Sequence, residues 1–174
     1  IILDWPDQNL RVTFCDVGQG DAILIQRGFK QILVDSGSNQ SVIECLEKEL
    51  PFWDTDIEIV IATHADKDHI GGFESVLNEF FVKEMITTSI GKKTDVFLAF
   101  NEAVQREIND GMTLNLVDSE NTVKIEDNFS ITNVLPQVAS VHDPSIFGQN
   151  TETQLWDKID AQLAKLEEQN LDYN

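Results

Sequence analysis

Residues 57–72 read IEIVIATHADKDHIGG, an apolar run followed by a cluster of histidines and aspartates. Its first part, Ile57–Ala62, is apolar and β-branched with only Glu58 polar, which predicts a buried strand. Directly behind it come His64 and His69, two of the chain's three histidines, with two aspartates between them. Loops that follow buried strands are where α/β proteins place their functional side chains. The stretch therefore predicts a strand that leads into a metal-binding loop.

The side chains in this loop are of the types that bind divalent cations. His64, Asp66, Asp68 and His69 offer nitrogen and oxygen atoms only, and no cysteine lies nearby, which disfavours a thiolate-rich structural zinc site. The chain holds 31 acidic residues, so chance can supply aspartates, but it rarely clusters scarce histidines. Paired divalent metals can activate a water molecule at neutral pH. We therefore expect one or two divalent metal ions here, with Lys67 pointing to solvent.

Strands and helices are predicted on both sides of this stretch. A Ser41-x-x-Glu44 pattern looks like a capping box at the start of a helix, and Pro51 ends that helix. Gly71-Gly72 is expected to let the backbone turn tightly against the site. The other predicted strands are Arg11–Val17, Ala22–Gln26, Gln31–Val34, Lys83–Thr87, Thr113–Val117, Thr122–Ile125 and Phe129–Leu135, and the other predicted helices lie within 73–80, 97–108 and 155–166. We expect a lead-in over 1–10, a domain over 11–150, and an amphipathic helix with the end of the chain over 151–174.

Composition excludes some classes of function. The net charge is -19, and the only basic residues after Arg106 are three lysines, so the chain offers no broad basic footprint for nucleic acid. No apolar run reaches the roughly 20 residues that a membrane-spanning helix needs. The chain opens on Ile1 without an initiator methionine, and we expect it to be a piece of a longer protein.

The two cysteines predict no disulfide framework. Cys15 lies in a strand pattern and Cys45 in a helix pattern, which favours buried free thiols and leaves a single disulfide open. The cellular compartment stays undecided.

Three segments together resemble a known family. Residues 63–72, THADKDHIGG, resemble the His-x-His-x-Asp-His signature of the metallo-β-lactamase superfamily. Residues 14–22, FCDVGQGDA, and 32–37, ILVDSG, resemble the ComEC group of DNA-uptake proteins, in which such a domain follows a membrane channel. The resemblance covers residues 11 to about 90. It implies a metallo-β-lactamase-like αββα sandwich (α+β or α/β class), of which this chain holds the first half, a sheet with its covering helices.

The resemblance also assigns roles to residues. It implies that His64 and Asp66 bind a first metal, that Asp68 and His69 bind a second, and that Asp68 takes part in catalysis. Asp21 and Asp35 are expected nearby, orienting the ligands. Most of the superfamily has histidine where this chain has Asp66, and a carboxylate is a harder ligand, which makes manganese credible beside zinc.

The family's remaining ligands come from the second half of its domain. Nothing here resembles the Thr-Gly-Asp stretch that supplies a bridging aspartate. His142, in Val141-His142-Asp143-Pro144, lacks the family's flanking pattern and is expected to be a surface residue. We therefore expect this chain alone to be inactive.

The resemblance implies a metal-dependent hydrolase, of the nuclease-like phosphodiesterase kind, that is associated with DNA uptake. Single-stranded DNA is the expected substrate, and the parent protein is expected at a bacterial membrane with this domain soluble. Two alternatives remain. One is a non-catalytic interaction module that keeps the fold. The other is an oxidoreductase of the flavin–di-iron type, which ranks last because that group favours glutamate at the position of Asp66.

Overall fold

The computed structural model describes residues 8–88 and 91–116 in full, and the backbone alone for 121–126 and 129–133. The chain divides into two units, Ile1–Pro136 and Gln137–Asn174, and all the described residues belong to the first. The predicted last helix, the domain boundary at residue 150 and His142 therefore lie outside the described residues.

A six-stranded sheet forms the centre of the first unit, and its strands lie side by side in chain order. The first three strands are antiparallel neighbours, whereas the third to the sixth run parallel. A separate antiparallel pair follows. The strands are β1 (Arg11–Phe14), β2 (Ile23–Arg27), β3 (Lys30–Val34), β4 (Asp56–Ala62), β5 (Phe81–Thr87) and β6 (Thr113–Leu116), then the pair β7 (Asn121–Glu126) and β8 (Phe129–Asn133).

Four helices lie between these strands: α1 (Ser41–Glu49), α2 (Lys67–Ile70), α3 (Phe73–Glu79) and α4 (Asp95–Asn109). Helices α1, α3 and α4 lie in the connections between the parallel strands, and α3 contacts both α1 and α4, so the three helices share one face of the sheet. Across 8–88 and 91–116, no helix is both long and apolar enough to cross a membrane.

Two local predictions about the helices were wrong. Ser41 is the first helical residue of α1 and not its N-cap, so the predicted capping box does not form. The Ser41 N–H instead donates to Asn39 Oδ1 at 2.8 Å. The metal-binding segment was expected to be all loop, yet its second half folds into the short helix α2.

The centre of one face of the sheet is completely buried. Leu24, Leu33, Val60 and Met85 are neighbours across four strands, and each is 0% exposed. On the other face, Ile32, Ile59 and Ile86 form a buried cluster. The strands were expected to be covered on both faces, but edge strand β1 exposes the side chains of Val12 (47%) and Phe14 (77%).

The two cysteines form a disulfide, so the preference for free thiols was wrong. Cys15 follows β1, Cys45 lies in α1, and their Cα atoms are 5.7 Å apart. A strand pattern and a helix pattern 30 residues apart give no sign of this contact, which depends on how α1 packs beside β1. The bond ties the loop of residues 15–22 to α1.

Three loops meet at one end of the sheet because strands β1, β3 and β4 run in the same direction and all have their C-terminal ends there. Main-chain hydrogen bonds join them into one layer. Asp21 N–H donates to Asp68 O at 3.2 Å, and Ser36 N–H donates to His69 O at 2.8 Å. Gly37 N–H completes the layer by donating to Asp21 O at 2.8 Å. The metal-binding segment is therefore held by the backbones of the two loops beside it.

Glycine is required where these backbones touch. A Cβ atom on Gly20 would lie 1.7 Å from the carbonyl oxygen of Asp68, and Gly20 has a φ of +97°. A Cβ atom on Gly72 would lie 2.3 Å from Ser36 O. The predicted close approach at Gly71-Gly72 is thus confirmed, although its cause is lack of space and not an unusual backbone angle.

We expect Gly20→Ala to lower the free energy of unfolding and to displace the backbone of Asp68. Gly18→Ala is the matched control. Gly18 also has a positive φ (+73°), but a Cβ atom there would meet no described atom within 4 Å. Strain alone costs about 1–3 kcal/mol at either position, and the clash at Gly20 adds about 1–3 kcal/mol more. Urea unfolding of both variants measures the difference. Equal losses would show that Gly20 does not support the metal-binding segment.

Candidate metal centre

A buried carboxylate, Asp35, lies at the centre of the site. It follows β3, its exposed fraction is 3%, and its φ is 57°. Aspartate is one of the few residues besides glycine that enter this region of backbone space readily. The turn aims the Asp35 side chain toward the end of β4, where the metal-binding segment starts.

Both oxygens of the Asp35 carboxylate accept hydrogen bonds. Oδ1 accepts from the backbone N–H of Thr63 at 2.8 Å, and Oδ2 accepts from the Thr63 hydroxyl at 2.7 Å. Oδ2 also lies 2.7 Å from Nδ1 of His69. Because an ionised carboxylate only accepts, the Nδ1 proton of His69 points to Asp35, and in the neutral form of this ring the lone pair lies on Nε2.

The same carboxylate orients the second imidazole through Thr63. The Thr63 hydroxyl donates a hydrogen bond to Asp35. The Thr63 hydroxyl oxygen can therefore accept a hydrogen bond from His64 Nδ1, which lies 2.9 Å away. In the neutral form of the ring, His64 therefore also has its lone pair on Nε2. The two imidazole rings are 3.8 Å apart, centroid to centroid.

The two aspartates of the motif each lie beside one of these histidines. Asp66 Oδ2 is 3.4 Å from His64 Nε2, and Asp68 Oδ2 is 4.0 Å from His69 Nε2. The structure thus brings together all four residues that the sequence predicted as ligands, in two adjacent pairs of one imidazole and one carboxylate.

Side chains of these two types are suited to binding divalent cations. Unprotonated imidazole nitrogens and carboxylate oxygens are the ligands that zinc and manganese take. Among the described residues, the group whose ligand atoms all lie within 4.8 Å of one another contains neither Asp66 nor Asp68; it consists of His64, His69 and Asp35. We interpret Asp35 as a residue that orients the two histidines, since its carboxylate oxygens already take part in three hydrogen bonds. Asp21 contributes its backbone to the loop layer, and the side chains of Asp21 and Lys67 are exposed.

Lys92 is a site residue that sequence reasoning missed. It precedes α4, and its ammonium group forms an ion pair with Oδ1 of Asp66. This hydrogen bond, with the positive charge of Lys92, lowers the pKa of Asp66. The only signal in the sequence was the pair Lys92-Lys93 in a strongly acidic chain, and it does not say which acid lies opposite.

Comparisons of the sequence find related proteins. The sequence model of the metallo-β-lactamase superfamily matches residues 15–124. Recombination protein 2 of Haemophilus influenzae is 32% identical over 122 residues, which is 68% of this chain and 16% of that protein. The chain thus spans about one sixth of this curated relative.

Solved structures of metallo-β-lactamases are also similar. The enzyme from Hirschia baltica is 22% identical over 66% of this chain and 51% of its own (TM-score 0.35), and that from Pontibacter korlensis is 16% identical over 67% and 51% (TM-score 0.38). FIM-1 from Pseudomonas aeruginosa, in its mono-zinc form, is 18% identical over 69% of this chain and 57% of its own (TM-score 0.36). The family match spans most of the chain, including strands β2 to β6 and the metal-binding segment, and it shows that this chain belongs to the metallo-β-lactamase superfamily.

Proposed function

We propose that this chain is the metal-binding part of a hydrolase that cleaves phosphodiesters. The observation that carries the proposal is the pair of imidazoles, His64 and His69, each held through Nδ1 with its Nε2 beside a carboxylate. Members of this superfamily are mostly metal-dependent hydrolases. In this proposal His64 and Asp66 hold a first cation, and Asp68 and His69 hold a second.

The metal ions are proposed to be zinc or manganese. When bound, such ions act as Lewis acids and neutralise negative charge on a phosphoryl group. The chain's own part is to fix the ligands. Asp35 keeps both Nδ1 atoms protonated, directly at His69 and through Thr63 at His64. Asp66 supplies a hard oxygen ligand, which supports manganese beside zinc.

DNA is the proposed substrate, in single-stranded form. Support comes from the likeness to Recombination protein 2 and from the ComEC-like segments at residues 14–22 and 32–37. The net charge of -19 disfavours a broad grip on duplex phosphates, whereas a flexible single strand can enter a site without such a footprint. Asp68 is the proposed catalytic residue of this reaction, because it lies beside His69 at the second cation position.

An extracytoplasmic position at a bacterial membrane is proposed for this domain. The disulfide between Cys15 and Cys45 supports it, because such bonds persist in oxidising compartments and are rare in the cytosol.

A non-catalytic interaction module is the second candidate. In the described part of the chain, each imidazole–carboxylate pair supplies two protein ligands, and catalytic zinc sites commonly have three. The two candidates differ in whether the complete gene product turns over substrate.

Asp35→Asn should weaken metal binding while the fold is kept. Asparagine also tolerates the positive φ of Asp35, so the backbone can stay in place. Asparagine has an acceptor oxygen at only one of the two carboxylate positions, so it cannot accept all three hydrogen bonds from Thr63 and His69, and the constraint on the proton of His69 is weakened. We expect a loss of metal affinity of about 10- to 100-fold, which is typical for partners of metal ligands. Competition with a chromophoric chelator measures it, and unchanged affinity would contradict the role of Asp35.

Asp66→His should change which metal the complete gene product prefers. The substitution replaces a hard oxygen ligand with an imidazole, which zinc accepts more readily than manganese does. Activity titrated with each metal should shift toward zinc. An unchanged metal profile would show that Asp66 is not a metal ligand.

Cleavage of labelled DNA tests the proposed function itself. We expect the complete gene product to cut single-stranded DNA faster than duplex when manganese or zinc is present. Asp68→Ala removes a ligand and should abolish cleavage, and it also reveals contaminating nuclease. Equal cleavage by wild type and variant would refute the nuclease assignment. No cleavage of either DNA, with metal demonstrably bound, would leave the interaction module or a hydrolase for other esters.

A further inference from the structure

The carboxylate of Asp66 is divided between two partners. Its Oδ2 lies 3.4 Å from Nε2 of His64, and its Oδ1 is paired with the ammonium group of Lys92. Lys92 comes from the segment before α4, 26 residues further along the chain. The two oxygens of one side chain thus face a candidate metal position and a fixed cation.

We propose that Lys92 is a positioning residue for Asp66, holding Oδ1 so that Oδ2 stays beside His64 and both can bind the same divalent cation. This inference rests on the proposed function, in which Asp66 is a metal ligand. It adds a residue from a different part of the chain to the machinery of the site.

With Lys92, three of the proposed ligands each have a hydrogen-bond partner that holds the side chain in place. His69 is held by Asp35, and His64 is held by Thr63, each through the ring nitrogen that faces away from the candidate metal position. The Asp66 side chain is 43% exposed, so its carboxylate can rotate unless a partner holds it. Lys92 supplies the hydrogen bond that ligating carboxylates commonly receive from an outer partner.

A role in stability alone does not account for the pair. The side chains of Lys92 and Asp66 are 44% and 43% exposed, and ion pairs this exposed contribute little to folding. Variants at Lys92 should therefore fold, which leaves metal binding as the property to measure.

A role for Lys92 as a competitor of the metal predicts the opposite change in metal affinity. If Lys92 only competed with a metal for Asp66, its removal would strengthen metal binding, because a positive charge near a cation site is repulsive. A positioning role predicts that removal weakens binding, since the ligand loses its fixed orientation.

The test is metal affinity of the complete gene product, measured for zinc and manganese by competition with a chromophoric chelator. We expect Lys92→Met to bind about tenfold or more weakly, and Lys92→Arg to restore most of the affinity. Lys67→Met is the charge control, because it removes an equal charge from an exposed side chain between Asp66 and Asp68. It should bind metal as tightly as the wild type or more tightly. Equal or tighter binding by Lys92→Met would overturn the proposal.

A second background separates this inference from the proposed function. In Asp66→His the residue has no second carboxylate oxygen for Lys92 to hold, so adding Lys92→Met should change the affinity little. A loss as large as in the wild-type background would also overturn the positioning role. His64→Ala should lose metal in every case. If it binds metal as the wild type does, the metal site itself is wrongly placed and the proposed function fails first.

Discussion

The hydrogen bonds of one buried carboxylate organise the whole site. Asp35 fixes the proton of His69 directly and that of His64 through Thr63, so the two imidazoles become ligands of defined orientation. Its acceptance of the Thr63 N–H also fastens the end of β4 to the end of β3. A charge buried to this degree is stable only when fully hydrogen-bonded, and the three bonds meet that need. Structure and chemistry thus depend on the same side chain.

Much of this could be predicted from the sequence. The β-branched run Ile57–Ala62 indicated a buried strand, and scarce histidines clustered behind it indicated a metal-binding segment. The order of strands and helices along the chain was predicted, whereas the order of the strands within the sheet was not. The placement of Asp66 beside His64 also follows from local chain geometry, because the two residues are separated by only one position. Patterns that are local in sequence were therefore sufficient for the main elements and for the ligand pairs.

Contacts between distant segments were beyond reach of that reasoning. The pairing of Cys15 with Cys45 depends on the packing of a helix beside an edge strand, and neither local pattern encodes it. Lys92 approaches Asp66 only because β5 runs parallel to β4 and delivers the next loop to the same end of the sheet. The start of α1 was misassigned for a more local reason. The Ser41 N–H donates to the side chain of Asn39. The spacing of Ser41 and Glu44 fits a capping box, but no capping box forms.

The disulfide has a practical consequence for work on the metal. Cys15 anchors the loop whose Gly20 and Asp21 lie against the backbone of Asp68. Thiol reductants, which are routinely added to protect metalloproteins in storage, also cleave accessible disulfides. A purification in reducing buffer would release this anchor, and the metal would then bind a segment with different support. Metal affinities measured in reducing and in non-reducing buffers would then refer to two redox states of the protein. The thiol content of each preparation should be recorded beside its metal content.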